Sequence, residues 1–351
     1  MLNAPRRLGV IALTAAFLSV SAAACGQNPQ TSAVVEQSPE AATTTSASAN
    51  EVRSVTPQTQ PDIDEQRALF DAISPALDLR PSRDVARLAI WRTGWNEPIV
   101  LGRGINHRIR MWSTAKALTS LMAWSAARPP NLELREALTG ALRRSENCRQ
   151  RYVIRALIEQ LGGEAAFRRS IEQVASTAGA RKFRLSTQTG RAVEPCIAYL
   201  RTKAGLDDPL GVTPLLGTAT WTLNDAVALA HALAIGTFGD AGRHTLSQMK
   251  RPKLRSRELG DASELTAPAN WGAGQAFTRH RGVAYKGGWG GAATDDFTAQ
   301  QLGVIPVAGG TVAFAVQYES STAVASDDPG VTGAPSALLR ILSRLDRALP
   351  A

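Results

Sequence analysis

The chain has 351 residues, 44% of them hydrophobic, and a formal net charge of +9 from 39 Lys and Arg against 30 Asp and Glu. That is enough for one large domain or two small ones with a real core. The basic residues are scattered and mostly arginine, with no run that would track a phosphate backbone. A nucleic-acid partner is therefore not expected, and anionic lipid or an acidic cell-envelope polymer suits the charge better.

Residues 1–25, "MLNAPRRLGVIALTAAFLSVSAAAC", read as an export leader: Arg6 and Arg7, an apolar run from Leu8, then small residues. The run is too short and too one-sided in charge for a spanning helix. Two kinds of processing fit it. Ala22-Ala23-Ala24 suits an ordinary signal peptidase, while Cys25 at the end of the small residues is similar to a lipobox cysteine, with Ala22 where an aliphatic residue is more usual. The second reading predicts a lipoprotein on the outer face of the membrane, and the first a secreted protein.

Residues 26–60 are rich in Ser, Thr, Ala, Gln and Pro and lack any apolar period, so they predict a tether unable to offset its own ordering entropy. Such a coil spans roughly 30 Å. The remaining cysteines are Cys148 and Cys196. In an exported protein they predict a disulfide, and two buried thiols are the alternative.

The folded domain is expected over 61–351. Residues 61–78 carry Ala68, Leu69, Phe70, Ile73 and Leu77 at helical spacing, with acids in the first turn. "DVARLAIWRTG" and "EPIVLGRG" predict two strands joined by a turn at Gly94-Trp95-Asn96. From Ser113 to about Leu259 the pattern is mostly helical, with helices over 114–127, 133–143, 149–161, 164–177 and 222–236. Strand patterns return at 281–288, 297–307 and 309–319, and a closing helix has Leu338, Leu339, Leu342 and Leu345 on its apolar face. This order predicts an α+β fold. A five-stranded antiparallel sheet is flanked by the N- and C-terminal helices, and a helical subdomain over about 113–270 is inserted after the second strand.

Only six residues are lysines, so a lysine placed beside a nucleophile stands out. A guanidinium cannot act as a general base, whereas a desolvated amine can. Ser113-Thr-Ala-Lys116 opens an apolar helix, and its i, i+3 spacing puts both side chains on one face. Ser113 there is either an N-cap or a nucleophile favoured by the helix dipole. A second copy, Ser247-Gln-Met-Lys250, is followed by a charged stretch broken by Pro252 and reads as chance.

Downstream come Ser145-Glu146-Asn147 in the helical insertion and Lys286-Gly287-Gly288 on a strand. Ser48-Ala49-Asn50 in the tether and Lys203-Ala204-Gly205 at a helix end repeat these patterns in unpromising contexts. No Gly-x-Ser-x-Gly elbow is present. His107, His231, His244 and His280 show no metal spacing, so neither metal nor another cofactor is expected.

The ordered triple resembles class A β-lactamases and D-Ala-D-Ala peptidases over residues 61–351. "GTATWTLNDAVALAHAL" (217–233) and "WGAGQAF" (271–277) are similar to lesser features of that group. The resemblance implies that Ser113 is acylated, Lys116 is its base and Ser145 relays a proton, with Asn147 near Lys116 and the substrate amide. It also implies that Lys286 supplies charge, and that the N–H groups of Ser113 and Trp289 form an oxyanion hole beside Gly287 and Gly288.

The implied substrate is a β-lactam or a peptidoglycan-type peptide, acted on by a monomer. The alternative is a catalytically weak member that binds cell-wall peptide or a protein partner. Three departures accompany the resemblance. Gly287 stands where the family usually has the Ser or Thr that meets the substrate carboxylate, and Arg279 and Arg281 are the conceivable substitutes. Ser145 follows Ser113 by only 32 residues, which implies a trimmed helical subdomain. Glu194-Pro195 is similar to the Ω-loop that holds the deacylation base, and Glu194 is otherwise a surface acid.

Overall fold

The computed structural model describes residues 60–80, 83–126, 128–191, 212–250, 271–291, 297–320 and 333–351. The leader, nearly all of the tether, Cys25, Glu194 and Cys196 lie outside these residues, as do the Ser48 and Lys203 motifs.

The chain enters through α1 (Gln60–Ile73) and a 3₁₀ turn. It then forms β1 (Val85–Arg92) and β2 (Ile99–Gly102), and reaches a two-residue strand β3 (Ile109–Arg110). The helical insertion follows: α2 (Ala115–Ser125), α3 (Leu132–Arg143), α4 (Asn147–Gln160) and α5 (Glu164–Thr177). Short strands β4 (Thr189–Arg191), β5 (Val212–Pro214) and β6 (Thr220–Trp221) precede α6 (Leu223–Ala234) and α7 (Gly239–Met249). A single turn α8 (Ala273–Ala276) leads into β7 (Ala284–Gly290), β8 (Thr298–Val307) and β9 (Gly310–Glu319), and α9 (Ala334–Ala348) closes the chain.

The main sheet runs β2-β1-β9-β8-β7, with every pair antiparallel. The first two strands and the last three therefore meet across the insertion, as their order in the sequence predicts. Strand alternation sorts the two faces. Leu88, Ile90, Phe314 and Val316 face α1 and α9, packing with Ile73, Leu338, Ile341 and Leu345. Ala89, Ala313 and Ala315 face the insertion, and these small residues leave room for α6 to lie directly on β1, β8 and β9. The start of α6 is fixed by a capping box between Thr222 and Asp225.

His231 of α6 stacks on Trp91 of β1, with ring centroids 4.1 Å apart and planes 4° from parallel. Burial lowers its pKa from 6.5 to about 4, so the ring is neutral at pH 7. Between those two values the unfolded chain binds a proton that the native state does not. Stability should therefore fall as pH drops from 6.5 through about 4. His231→Phe keeps the stack and removes the titration, so its urea midpoint should change less over that range. An equal decline in both proteins would remove His231 as the cause.

Candidate active site

α2 does not begin on Ser113. Its N-cap is Thr114, which makes no side-chain capping bond to the helix, and Ser113 lies one residue earlier in a 3₁₀ turn, Trp112–Thr114. The capping reading of Ser113 is thereby corrected. The turn is bent through Trp112, whose φ of 48° lies in the left-handed region that non-glycine residues seldom occupy. The Thr114 hydroxyl turns back onto the carbonyl of Met111. Ser113 is left half-buried at the head of α2.

Lys116, 3% exposed, reaches back along α2 to Ser113, with Nζ 3.1 Å from Oγ. The same nitrogen lies 2.5 Å from the carbonyl oxygen of Ser145, 2.8 Å from Asn147 Oδ1 and 3.3 Å from Ser145 Oγ. The carbonyl and the amide oxygen only accept hydrogen bonds. In a neutral amine these two take both N–H groups, and the lone pair is left for the Ser113 hydroxyl.

Ser145 lies in the turn between α3 and α4, and its φ of 59° makes it the second left-handed non-glycine residue among those described. Sparsely populated backbone of this kind persists only where neighbours over-determine it. Glu146 supplies that constraint. It is fully buried, and its carboxylate meets Arg144 Nε at 2.6 Å and Arg149 Nε at 2.8 Å. Gly140 leaves the hollow for it, since a Cβ there would stand 2.3 Å from Glu146 Oε2. Asn147 then starts α4 beside Lys116, and Cys148 is buried one residue further on.

Removing one partner of a buried ion pair typically costs about 3–5 kcal/mol. Glu146→Ala should lose stability on that scale, and the turn that presents Ser145 should loosen. Denaturant titration checks this, and a loss below about 1 kcal/mol, the range of exposed pairs, would show that the cluster does not hold the turn.

β7 brings the third motif. Lys286 is fully buried and donates to Ser145 Oγ at 3.0 Å and to the Gly287 carbonyl at 2.7 Å. Burial, and after it the nearby charge of Lys116, pushes its pKa well below the ordinary lysine value. Two buried amines thus converge on one hydroxyl. Gly288 follows on the same strand face and is pressed against the nucleophile's turn, where a Cβ would lie 2.7 Å from the backbone nitrogen of Ser113. Trp289 is the next residue, half-buried, with its ring edge-on to Trp271 at 5.2 Å.

Ser113, Lys116, Ser145, Asn147, Lys286 and Gly288 are therefore gathered in one place. The duplicate motif is not part of it: Ser247 is exposed on α7 and donates to the His244 carbonyl at 2.7 Å. Arg279 is not part of it either, because its guanidinium donates to the Arg347 carbonyl at 2.8 Å near the end of α9. Between α2 and Ser145 the described residues contain one helix, α3, which accounts for the short spacing of the motifs. The motif-based reading overlooked Gln300 of β8, which donates to the Arg110 and Met111 carbonyls at 2.8 Å each. Nothing in a buried strand glutamine announces such a role.

An antiparallel sheet split by a helical insertion, with these three motifs where they meet, is the β-lactamase and penicillin-binding fold. Solved structures agree. The chain is similar to the TLA-1 extended-spectrum β-lactamase, at 15% identity over 80% of this chain and 99% of that one, with a TM-score of 0.50. A class A β-lactamase representative from Bacteroides cellulosilyticus DSM 14838 matches at 13% identity over 81% and 99%, with a TM-score of 0.51. A β-lactamase from Sphaerobacter thermophilus DSM 20745 matches at 15% identity over 80% and 97%, with a TM-score of 0.50. No protein-family model and no curated protein matches the sequence.

Proposed function

We propose that the protein is a serine hydrolase that forms an acyl-enzyme on Ser113 with a β-lactam or a D-Ala-D-Ala-type peptide. The observation that carries this reading is the environment of Lys116 Nζ, 3.1 Å from Ser113 Oγ and 2.5–2.8 Å from two acceptor-only oxygens. Neutral Lys116 takes the Ser113 proton as Oγ attacks the scissile carbonyl. The N–H groups of Ser113 and Trp289 receive the developing oxyanion, where one donor is typically worth about 100- to 1,000-fold in rate. The scissile C–N bond breaks as Ser145 passes its proton to the leaving nitrogen, and Lys116 re-protonates Ser145 through their contact at 3.3 Å. Lys286 holds Ser145 from the other side at 3.0 Å. Water then hydrolyses the ester, with Glu194 as the proposed base.

Intact-mass spectrometry over time after penicillin exposure tests both halves of the cycle. The wild type should gain and then lose one acyl adduct, and Ser113→Ala should gain none. An adduct that survives Ser113→Ala would refute the assignment.

Gly287 favours a second reading, a weak or inactive member that retains cell-wall peptide or a protein partner. Multiple-turnover hydrolysis of nitrocefin by purified protein would eliminate it.

We further propose export, lipid anchoring at Cys25 and a Cys148–Cys196 disulfide, on the strength of the leader sequence and the cysteine count. The mass of the mature chain, taken before and after reduction and alkylation, reads all three. An unlipidated N-terminus, or two thiols that react without reduction, would overturn the corresponding part.

A further inference from the structure

The turn that carries Ser113 is gripped from below by β8. Gln300 is 1% exposed, and its carboxamide is fully committed. Its NH2 donates to the carbonyls of Arg110 and Met111, each at 2.8 Å, and lies 3.2 Å from Thr114 Oγ1. Its oxygen accepts from Trp221 Nε1 at 2.8 Å. The indole only donates and the two carbonyls only accept, so the partners themselves fix which end of the amide is which. Two residues earlier on the same strand face, Thr298 Oγ1 accepts from Trp112 Nε1 at 2.7 Å. Gln300 also stands in register with Gly288, the residue that meets the Ser113 nitrogen.

The left-handed backbone at Trp112 gives this grip something to hold. A residue at φ 48° relaxes unless its neighbours prevent it. On one side Met111 N–H is tied to the Ala219 carbonyl at 2.8 Å, where β3 and β6 pair. On the other side the Met111 carbonyl takes the hydroxyl and N–H of Thr114 from within the turn, and Gln300 reaches the carbonyls of both 110 and 111 from outside it. We propose that Gln300 is a positioning residue for the nucleophile: by bonding both carbonyls it holds the strained turn so that Ser113 Oγ faces Lys116. The inference rests on Ser113 being acylated. It assigns the aim of that serine to a strand behind the site.

The test combines Gln300→Met, which removes every bond at near-constant volume, with Thr298→Val, which frees only the Trp112 indole. Two quantities are measured on each folded variant: the acylation rate constant with a fluorescent penicillin, and hydrogen exchange at the Trp112 and Trp221 indole N–H groups. Gln300→Met should acylate up to about 100-fold more slowly, the scale expected for a displaced reacting group, with the noncovalent dissociation constant unchanged. Trp112 exchange should also quicken, although its indole donates to Thr298 and not to Gln300; that is the signature of a loosened turn. Thr298→Val should slow acylation less than Gln300→Met, and its acylation rate, not the exchange of the indole it frees, carries the test if Gln300→Met does not fold.

Wild-type acylation rates in both variants, or an unaltered Trp112 exchange rate in Gln300→Met, would overturn the proposal. If the wild type itself forms no adduct, the hydrolase reading fails. The grip is then judged on Trp112 exchange alone, with faster exchange supporting it and unchanged exchange refuting it.

Discussion

Lys116→Arg should leave the protein folded and unable to acylate Ser113. Lys116 is 3% exposed, and its nitrogen lies 3.1 Å from Ser113 Oγ, within reach of the hydroxyl proton. A guanidinium keeps the positive charge but has no lone pair to offer. If Lys116 served only as a charge, arginine would substitute for it in part. If it is the base, Lys116→Arg and Lys116→Met should fail alike, by about 100- to 10,000-fold in acylation rate, the range for a lost general base. Stopped-flow labelling with a fluorescent penicillin separates the two, with Ser113→Ala as the silent reference. A Lys116→Arg protein within about tenfold of wild type would fall outside the range for a lost base and would transfer that role to another group, with Lys286, which also contacts Ser145 Oγ, the first to examine.

The parts of this site that the sequence made legible are those carried by residue type at short spacing. Ser113 and Lys116 are one helical turn apart, so their meeting follows from local geometry. The sheet was legible because its strands alternate cleanly, as in Val312, Phe314 and Val316 against Ala313 and Ala315. The meeting of Lys286 with Ser145 could be reached only through resemblance, since 141 positions separate them and no local rule joins them. The paired two-residue strands β3 and β6 have no period to detect. The roles of Glu146 and Gln300 come from burial, which an isolated Glu or Gln does not signal. Ser113 as a cap was a fair inference from residue preference, but a turn bent through Trp112 moved the helix start beyond it.

The second large effect is expected at Gly288, and its neighbour Gly287 is the control. Neither glycine has a left-handed φ, so backbone freedom is not why glycine occupies them. A Cβ at 288 would lie 2.7 Å from the Ser113 nitrogen, 2.8 Å from the Met111 oxygen and 2.9 Å from the Thr114 nitrogen. All three are backbone atoms of the turn that carries the nucleophile, and Gln300 and the β3–β6 pair hold that turn in place. Gly288→Ala must therefore push the turn or the strand aside. Overpacking of this kind typically costs about 1–3 kcal/mol. A displaced nucleophile adds up to about 100-fold in rate. At 287 the same Cβ would meet side-chain atoms of Trp271 and Gln301 at 3.4–3.5 Å, close to ordinary contact. Gly287→Ala should thus fold normally and even gain a few tenths of a kcal/mol from the stiffer unfolded chain. Gly287→Thr should fit with slight adjustment and raise acylation by penicillins bearing a free carboxylate. Thermal melts and acylation rates on the three variants decide the matter. If Gly288→Ala matched Gly287→Ala in both measurements, the close approach of β7 to Ser113 would have no bearing on the chemistry.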